Sequence, residues 1–200
     1  MNRRQKKKQI KIRNKRLVKK HPYLLPRNVF SDKVPEDYNY EYTRYEEIPD
    51  GWRKSFGKEL LEELTDSLTK HNCLNEFRFS QIKEKYGQLC LYNFGAPDET
   101  WEILHKYEII SQYICIRCGR PDVCIIDNYG WYEPLCKCCY DKQRFRYDFK
   151  HVPYEERIDE EDTTLPSSYR ITRYSKGQSE VIEYDISETV NKIRAKWRKK

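Results

Sequence analysis

The sequence predicts a small α+β fold in which helices and β-hairpins form a body around an embedded four-cysteine element. Apolar residues recur at helical spacing in one long segment, and shorter segments of alternating apolar and polar residues flank glycines elsewhere. Two C-x-x-C pairs follow, with 17 residues between them. The 200 residues suffice for one domain with appendages, or at most for two small domains.

The composition is typical of a soluble protein. Its mean hydropathy is −1.02, and no stretch approaches the ~20 consecutive apolar residues that a membrane-spanning helix needs. The basic start is not followed by an apolar run and a small-residue cleavage site, which a secretory signal would show. We therefore expect a cytoplasmic protein without membrane contact, with 17 Tyr, 7 Phe and 4 Trp available for its core.

The net charge of +7 conceals two basic ends on an acidic body. Residues 1–20 contain eleven basic and no acidic side chains, and residues 191–200 contain six basic and no acidic side chains. The chain between these two segments has a net charge of −10. Because runs of like charge resist folding, we expect residues 1–20 to be a disordered tail that aids solubility or binds nucleic acid, although both ends could also fold back on the acidic body. The candidate nucleic-acid contacts are Arg3, Arg4, Lys6, Lys7, Lys8, Lys11, Arg13, Lys15, Arg16, Lys196 and Arg198.

Three elements are predicted before the cysteines. A helix over about 53–71 follows from apolar residues that recur every four positions, namely Phe56, Leu60, Leu64 and Leu68. Alternation on both sides of Gly87 predicts a β-hairpin, because glycine readily adopts the positive φ of a tight turn. A second helix is expected after Pro97, where Asp98 is suited to cap the first turn, and continues to about Gln112.

The C-terminal part is predicted to be a β-hairpin and a helix that dock on the rest. Two alternating segments precede Ser187, which is suited to cap a helix whose apolar face carries Val190, Ile193 and Trp197. A unit of about thirty residues is too small to be stable alone, so we expect it to pack on the body. The predicted organisation is a disordered basic tail (1–20), an α+β body (21–150), an acidic linker (151–168) and a docked C-terminal unit (169–200) that ends in a basic amphipathic helix.

The spacing of the cysteines predicts a metal site. Cys115 and Cys118 form a C-x-x-C pair before Gly119, and Cys136 and Cys139 form the second pair. The interval of 17 residues matches the ~15–20 residues of a four-cysteine zinc ribbon and has room for a hairpin. We therefore expect an embedded zinc ribbon over about 113–140 with one structural zinc ion, because four thiolates leave no open position for water.

Other interpretations of the eight cysteines remain open. Cys138 offers a C-x-C alternative for the fourth ligand, although Cys139 matches the spacing of the first pair. An iron centre would use the same four thiolates, whereas disulfides or ordinary buried thiols would bind no metal at all. Cys73, Cys90 and Cys124 are interpreted as small buried residues rather than as ligands.

No catalytic motif accompanies these cysteines. The four histidines lie outside any H-E-x-x-H pattern, nucleophile elbow or glycine-rich phosphate loop. None lies between Cys118 and Cys136, where a nuclease of the His-Asn-His kind would place one. We therefore expect a non-enzymatic protein, and an enzyme whose site has no recognisable motif stays as a third alternative.

Several strings of the chain carry a family resemblance: QIKEKYGQLCLYNFG (81–95), KYEIISQYICIRCGRP (106–121) and GWYEPLCKCC (130–139). Together they resemble a family of uncharacterised zinc-ribbon proteins found in bacterial genomes and their phages. Residues 21–57 and 184–194 are also similar to segments of many members, whereas Cys90 and Cys138 replace an arginine and an acidic residue of the pattern. The resemblance implies a zinc ribbon on a small α+β body and a phage or mobile-element origin, but no activity.

Two functions follow from these observations. The first is a zinc-ribbon adaptor or binding protein that contacts DNA or RNA through its basic ends. The alternative is a phage or prophage factor that acts on a host protein through its acidic surface, with a purely structural zinc ion and no nucleic-acid role. In the first case Tyr129, Trp131 and Tyr132 near the ribbon are candidates to stack on bases, unless they form the core of the ribbon itself.

Overall fold

The described part of the chain contains helices and three separate β-hairpins. The computed structural model describes residues 2–28, 30–128, 130–142, 164–175 and 178–198. The helices are α1 (Arg3–Lys20), α2 (Asp50–Trp52), α3 (Lys58–Lys70), α4 (Asp98–Ser111), α5 (Lys137–Asp141) and α6 (Ser187–Arg198). The antiparallel hairpins pair β1 (Arg78–Lys85) with β2 (Gln88–Phe94), β3 (Cys124–Asn128) with β4 (Trp131–Leu135), and β5 (Ser168–Ser175) with β6 (Gln178–Asp185). The predicted α+β class is confirmed.

The helix predicted over about 53–71 begins earlier and contains a wide turn. α2 continues through a π-helical turn, Arg53–Gly57, directly into α3. The side chains that predict the helix are all fully buried, namely Phe56, Leu60, Leu64 and Leu68. Residues spaced by four drift about 40° per step around an α-helix of 3.6 residues per turn, and the wider π turn offsets part of this drift. The four side chains therefore face one core across the junction.

α4 covers the outer edge of the first hairpin. Gly87 has a φ of +78° in the turn between β1 and β2, as the sequence predicts. The amide of Leu89 donates to Ser111 Oγ (2.8 Å), and the amide of Leu91 donates to Glu108 Oε1 (2.7 Å). Both acceptors belong to α4, so these edge amides are satisfied without a third strand.

The C-terminal hairpin and α6 share one core with the central helix. The buried side chains that enter this core are Tyr169, Ile186, Val190 and Ile193. Lys196 donates to the carbonyl of Ser55 in the π turn (2.8 Å) and pairs with Glu59 (2.6 Å). Lys196, one of the candidate nucleic-acid contacts, therefore holds α6 in place. Residues 143–150 of the predicted body and 151–163 of the predicted linker lie outside the described residues.

Residues 3–20 form helix α1 and not the disordered tail that their charge predicts. One face of α1 contacts the body, where Asn14 and Val18 are buried and Asn14 donates to the carbonyl of Tyr40 (3.0 Å). Acidic side chains across this contact reduce the repulsion among the cations. The ion pairs join Lys7 and Lys11 to Glu41, Arg13 to Glu46, and Lys20 to Glu62. The structure thus has the basic segment folded back on the acidic body, which was the alternative to the expected disordered tail. The acidic partners lie far along the chain, beyond the reach of a local charge pattern.

Truncation of a side chain beneath α1 tests the contribution of this helix. Because Val18 is only 7% exposed, Val18→Ala should lower the free energy of unfolding by about 1–3 kcal/mol in urea denaturation. Ile12→Ala is the control, since Ile12 is 45% exposed on the same helix and its truncation should change little. Negligible effects of both substitutions would mean that α1 adds no stability.

His21 is buried in its neutral form at the end of α1. The residue is 3% exposed, and its Nδ1 lies 2.6 Å from Thr65 Oγ1 and 3.3 Å from the hydroxyl of Tyr23. Burial, with a smaller contribution from the charge of Lys20, lowers the pKa of His21 from 6.5 to about 4. Between these two pH values the unfolded chain therefore binds more protons than the folded protein.

Mild acid should destabilise the protein through His21. The free energy of unfolding should fall as the pH is lowered from about 6.5 to about 4, because only the unfolded state gains this proton. Urea denaturation across this range should show a smaller decrease for His21→Gln than for the wild type. Parallel profiles for the wild type and His21→Gln would contradict the assignment.

Candidate metal centre

Four cysteine sulfurs converge on one point of the structure. The Sγ atoms of Cys115, Cys118, Cys136 and Cys139 all lie within 4.8 Å of one another, and 3.7 Å separates those of Cys118 and Cys136. Tetrahedral zinc with Zn–S bonds of ~2.3 Å places its sulfurs about 3.8 Å apart, whereas a disulfide bond is only ~2.05 Å long. The cluster therefore has the dimensions of a site for one metal ion and not those of two disulfides.

The first knuckle, Cys115–Gly119, is closed by its own backbone. The amide of Gly119 donates to the carbonyl of Cys115 (2.8 Å), and the amide of Cys115 donates to the carbonyl of Arg120 (2.8 Å). Gly119 has a φ of +90°, which residues with a Cβ rarely adopt, and this explains the glycine after the second cysteine. The turn directs both sulfurs of the knuckle to the same side of the chain.

Electrostatics within the cluster favour a bound cation. Burial raises the pKa of the Cys115 thiol, but hydrogen bonds to its sulfur from the amides of Cys118, Cys136 and Arg117 outweigh burial, and its pKa is lowered. Burial, together with the charge of the Cys115 thiolate, raises the pKa of Cys136 to about 11. The pKa of Cys139 is raised by the same two causes. Ionisation of Cys136 and Cys139 beside the Cys115 thiolate is therefore unfavourable without a cation, and a divalent ion would neutralise the sulfurs as their protons are released.

The second knuckle selects Cys139 over Cys138. Cys136 lies at the start of α5, where its carbonyl accepts from the amides of Cys139 (2.9 Å) and Tyr140 (3.0 Å). This turn brings Cys139 into the cluster, whereas Cys138 is exposed and outside it. Of the cysteines predicted to be small buried residues, Cys73 is buried and Cys90 and Cys124 are partly exposed, and none of them joins the cluster.

The hairpin between the knuckles adds a small core of its own. The buried residues of this core, apart from the cysteines, are Val123, Ile126, Leu135 and Tyr140, and Ile116 packs against both this core and the main one. Trp131 is 71% exposed and Tyr132 is 45% exposed, so neither ring fills the ribbon core. Tyr129, the third predicted stacking residue, lies outside the described residues.

α2 docks on the first knuckle through a contact that local sequence patterns do not show. The amide of Gly51 donates to the carbonyl of Ile116 (2.9 Å), and Nε1 of the fully buried Trp52 donates to the carbonyl of Ile114 (2.8 Å). A Cβ at position 51 would lie 2.2 Å from the carbonyl oxygen of Cys115, so only glycine fits there. The signal in the sequence is the Gly-Trp pair at the start of the helix.

The candidate nucleic-acid contacts divide into two groups. Lys7, Lys11, Arg13 and Lys196 form ion pairs with the body. The others are exposed and have no ion-pair partner among the described residues: Arg3, Arg4, Lys6, Lys8, Lys15, Arg16 and Arg198. These exposed cations of α1 lie on a different element from the cysteine cluster, so the basic surface and the cluster are separate features of the molecule.

Comparison with known proteins adds no function to this geometry. No protein-family model, curated protein or solved structure matches the chain. The family resemblance of its motifs therefore stays a prediction. Within the described ranges, the helices are too short or too polar for any of them to cross a membrane.

Substitution of single cysteines should separate ligands from non-ligands. Cys115→Ser and Cys139→Ser should each reduce the bound metal, measured by elemental analysis of protein purified under reducing conditions, and should lower the unfolding temperature. Cys138→Ser and Cys73→Ser are the controls and should retain the metal of the wild type. Wild-type protein that carries no metal would contradict the metal site. Metal loss in Cys138→Ser alone would identify Cys138, and not Cys139, as the fourth ligand.

Proposed function

We propose that the protein is a non-enzymatic, zinc-stabilised adaptor that contacts nucleic acid through the outer face of α1. The motif resemblance suggests a phage or mobile-element origin. The zinc ion would have a structural role in this proposal, and the binding surface would be separate from it. The observation that carries the proposal is a row of exposed cations, without ion-pair partners in the described part of the chain, on a helix whose opposite face is fixed to the body.

The nature of the ligands supports zinc. Thiolates are soft ligands that select zinc, copper(I) and iron–sulfur clusters, and a tetrahedral set of four is typical of structural zinc sites. All four ligand positions are supplied by the protein, and Cys115 is fully buried. The ion would therefore stabilise the knuckles without taking part in a reaction.

The outer face of α1 supports binding to phosphates. Lys8, Lys15 and Lys19 are exposed at spacings of seven and four positions, which place them on one side of the helix, and the exposed Arg16 lies beside them. Positions 8–19 span about 16 Å along the helix axis at a rise of ~1.5 Å per residue. A rigid cationic row of this length suits the phosphate backbone of a nucleic acid, because each phosphate contact adds a salt-dependent increment to the affinity.

Removal of three of these charges should weaken nucleic-acid binding. The triple variant Lys15→Gln, Arg16→Gln, Lys19→Gln should bind long DNA or RNA less tightly in a filter-binding assay, and the slope of log K against log salt should fall by about 2–3. The control is Lys33→Gln, Lys54→Gln, Lys58→Gln, which removes the same charge from other surface positions and should change the slope little.

The same assay distinguishes the alternative function. Equal losses in the two triple variants would show that net charge, and not the face of α1, attracts the polymer. An absence of binding by the wild type at low salt would contradict the proposal and favour a factor whose partner is a host protein. The zinc ion keeps its structural role under both outcomes.

A further inference from the structure

A cleft of about 680 Å³ lies between the first knuckle and α6. Its walls come from the segment Arg120–Asp122, which follows the knuckle, and from Arg194, Trp197 and Arg198 near the end of α6. Small-molecule sites in proteins have volumes of ~300–1,000 Å³, so the space suits a ligand of nucleotide size. The cleft is separate from the sulfur cluster and from the outer face of α1, and neither the zinc site nor the proposed nucleic-acid contact accounts for it.

The walls of the cleft are held by the protein itself. Asp122 accepts from Arg194 Nη2 (2.8 Å) and from the amide of Leu165 (3.0 Å), which ties the knuckle segment to α6. Arg194 also donates to the carbonyl of Leu165 (3.2 Å). A Cβ at Gly119 would lie 3.2 Å from the indole ring of Trp197, so this ring rests directly on the knuckle backbone. The indole and the Arg194 guanidinium therefore keep their positions without a ligand.

The charge of the cleft is positive. Among the described residues that line it, three guanidinium groups face a single carboxylate, that of Asp122, which is already paired with Arg194. Arg120 and Arg198 are both exposed and have no ion-pair partner among the described residues. Because an arginine stays protonated at any physiological pH, these two side chains offer permanent charge and several N–H donors to an anion.

The combination of residues identifies the chemistry of the ligand. Guanidinium groups bind phosphate oxygens through paired hydrogen bonds, and an indole ring stacks on flat heterocycles. Trp197 is partly exposed at the wall, next to the two unpaired arginines. We propose that this cleft binds a nucleoside phosphate, with Arg120 and Arg198 on the phosphate and Trp197 against the base. The ligand is either a free nucleotide or one unit of a single strand.

Titration calorimetry with AMP, adenosine and inorganic phosphate tests the cleft in the full-length, metal-loaded protein. AMP should bind saturably and more tightly than either of its parts, because phosphate and base are recognised together. The double variant Arg120→Gln, Arg198→Gln should lower the affinity for AMP by about tenfold or more, since it removes the charge-assisted hydrogen bonds to the phosphate. Both arginines are exposed and have no ion pair with any residue that the structure describes, so this variant should fold as the wild type does.

Two further variants separate this site from other causes of binding. Trp197→Leu, checked for wild-type metal content, should reduce the affinity for AMP to that of inorganic phosphate. The triple variant of α1 should leave AMP binding unchanged, so failure of the α1 proposal and failure of the cleft proposal are distinguishable. Displacement of AMP by oligo(dA) would assign the cleft to single strands, and no displacement would assign it to free nucleotides.

The proposal fails on any of three results. The first is the absence of saturable AMP binding at millimolar concentration. The second is an equal loss of AMP affinity in the cleft double variant and in the α1 triple variant, which would show only general attraction of an anion. The third is equal binding of AMP and inorganic phosphate by the wild type, which would leave the indole without a role.

Discussion

The close approach of two glycine backbones sets the position of the metal centre relative to the core. A Cβ at Gly119 would lie 2.5 Å from the carbonyl oxygen of Gly51, and Gly51 is equally crowded by the knuckle. Neither residue has a side chain, so α2 and the first knuckle pack backbone against backbone. The amide of Gly51 donates a hydrogen bond to the carbonyl of Ile116 across this contact. The helix that supplies the main core thus begins on the segment that holds two of the four sulfurs. A metal ion that orders this knuckle would also fix the start of that helix.

The ribbon would be difficult to stabilise by apolar packing alone. Its buried cluster contains six residues, two of them cysteines, and chains below ~40 residues usually need a metal or disulfides to fold. All four cysteines are free, so no disulfide crosses the ribbon, and a metal ion bound by the four sulfurs would hold the hairpin together. Ile116 contacts both cores, so a metal ion that orders the ribbon would also stabilise this contact with the main core.

Features with a local period could be predicted from the sequence, and features that depend on distant partners could not. The repeats of Phe56 to Leu68, the turn at Gly87 and the spacing of the four ligands all act over a few residues, and each leaves a readable pattern. The fold of α1 depends instead on acidic partners such as Glu41, and the docking of Gly51 depends on the course of the chain beyond Cys115. The sequence left the adjacent Cys138 and Cys139 as alternatives for the fourth ligand. The turn at the start of α5, which brings Cys139 into the cluster, distinguishes them.

The bond between Lys196 and the carbonyl of Ser55 has a consequence for the order of assembly. It joins residues 141 positions apart, whereas Cys118 and Cys136 are separated by 18. The entropy cost of closing a loop grows with the logarithm of its length, so the short ribbon loop closes more readily than the long one that returns α6 to the π turn. Loop-closure entropy thus favours formation of the knuckles before α6 docks beside them.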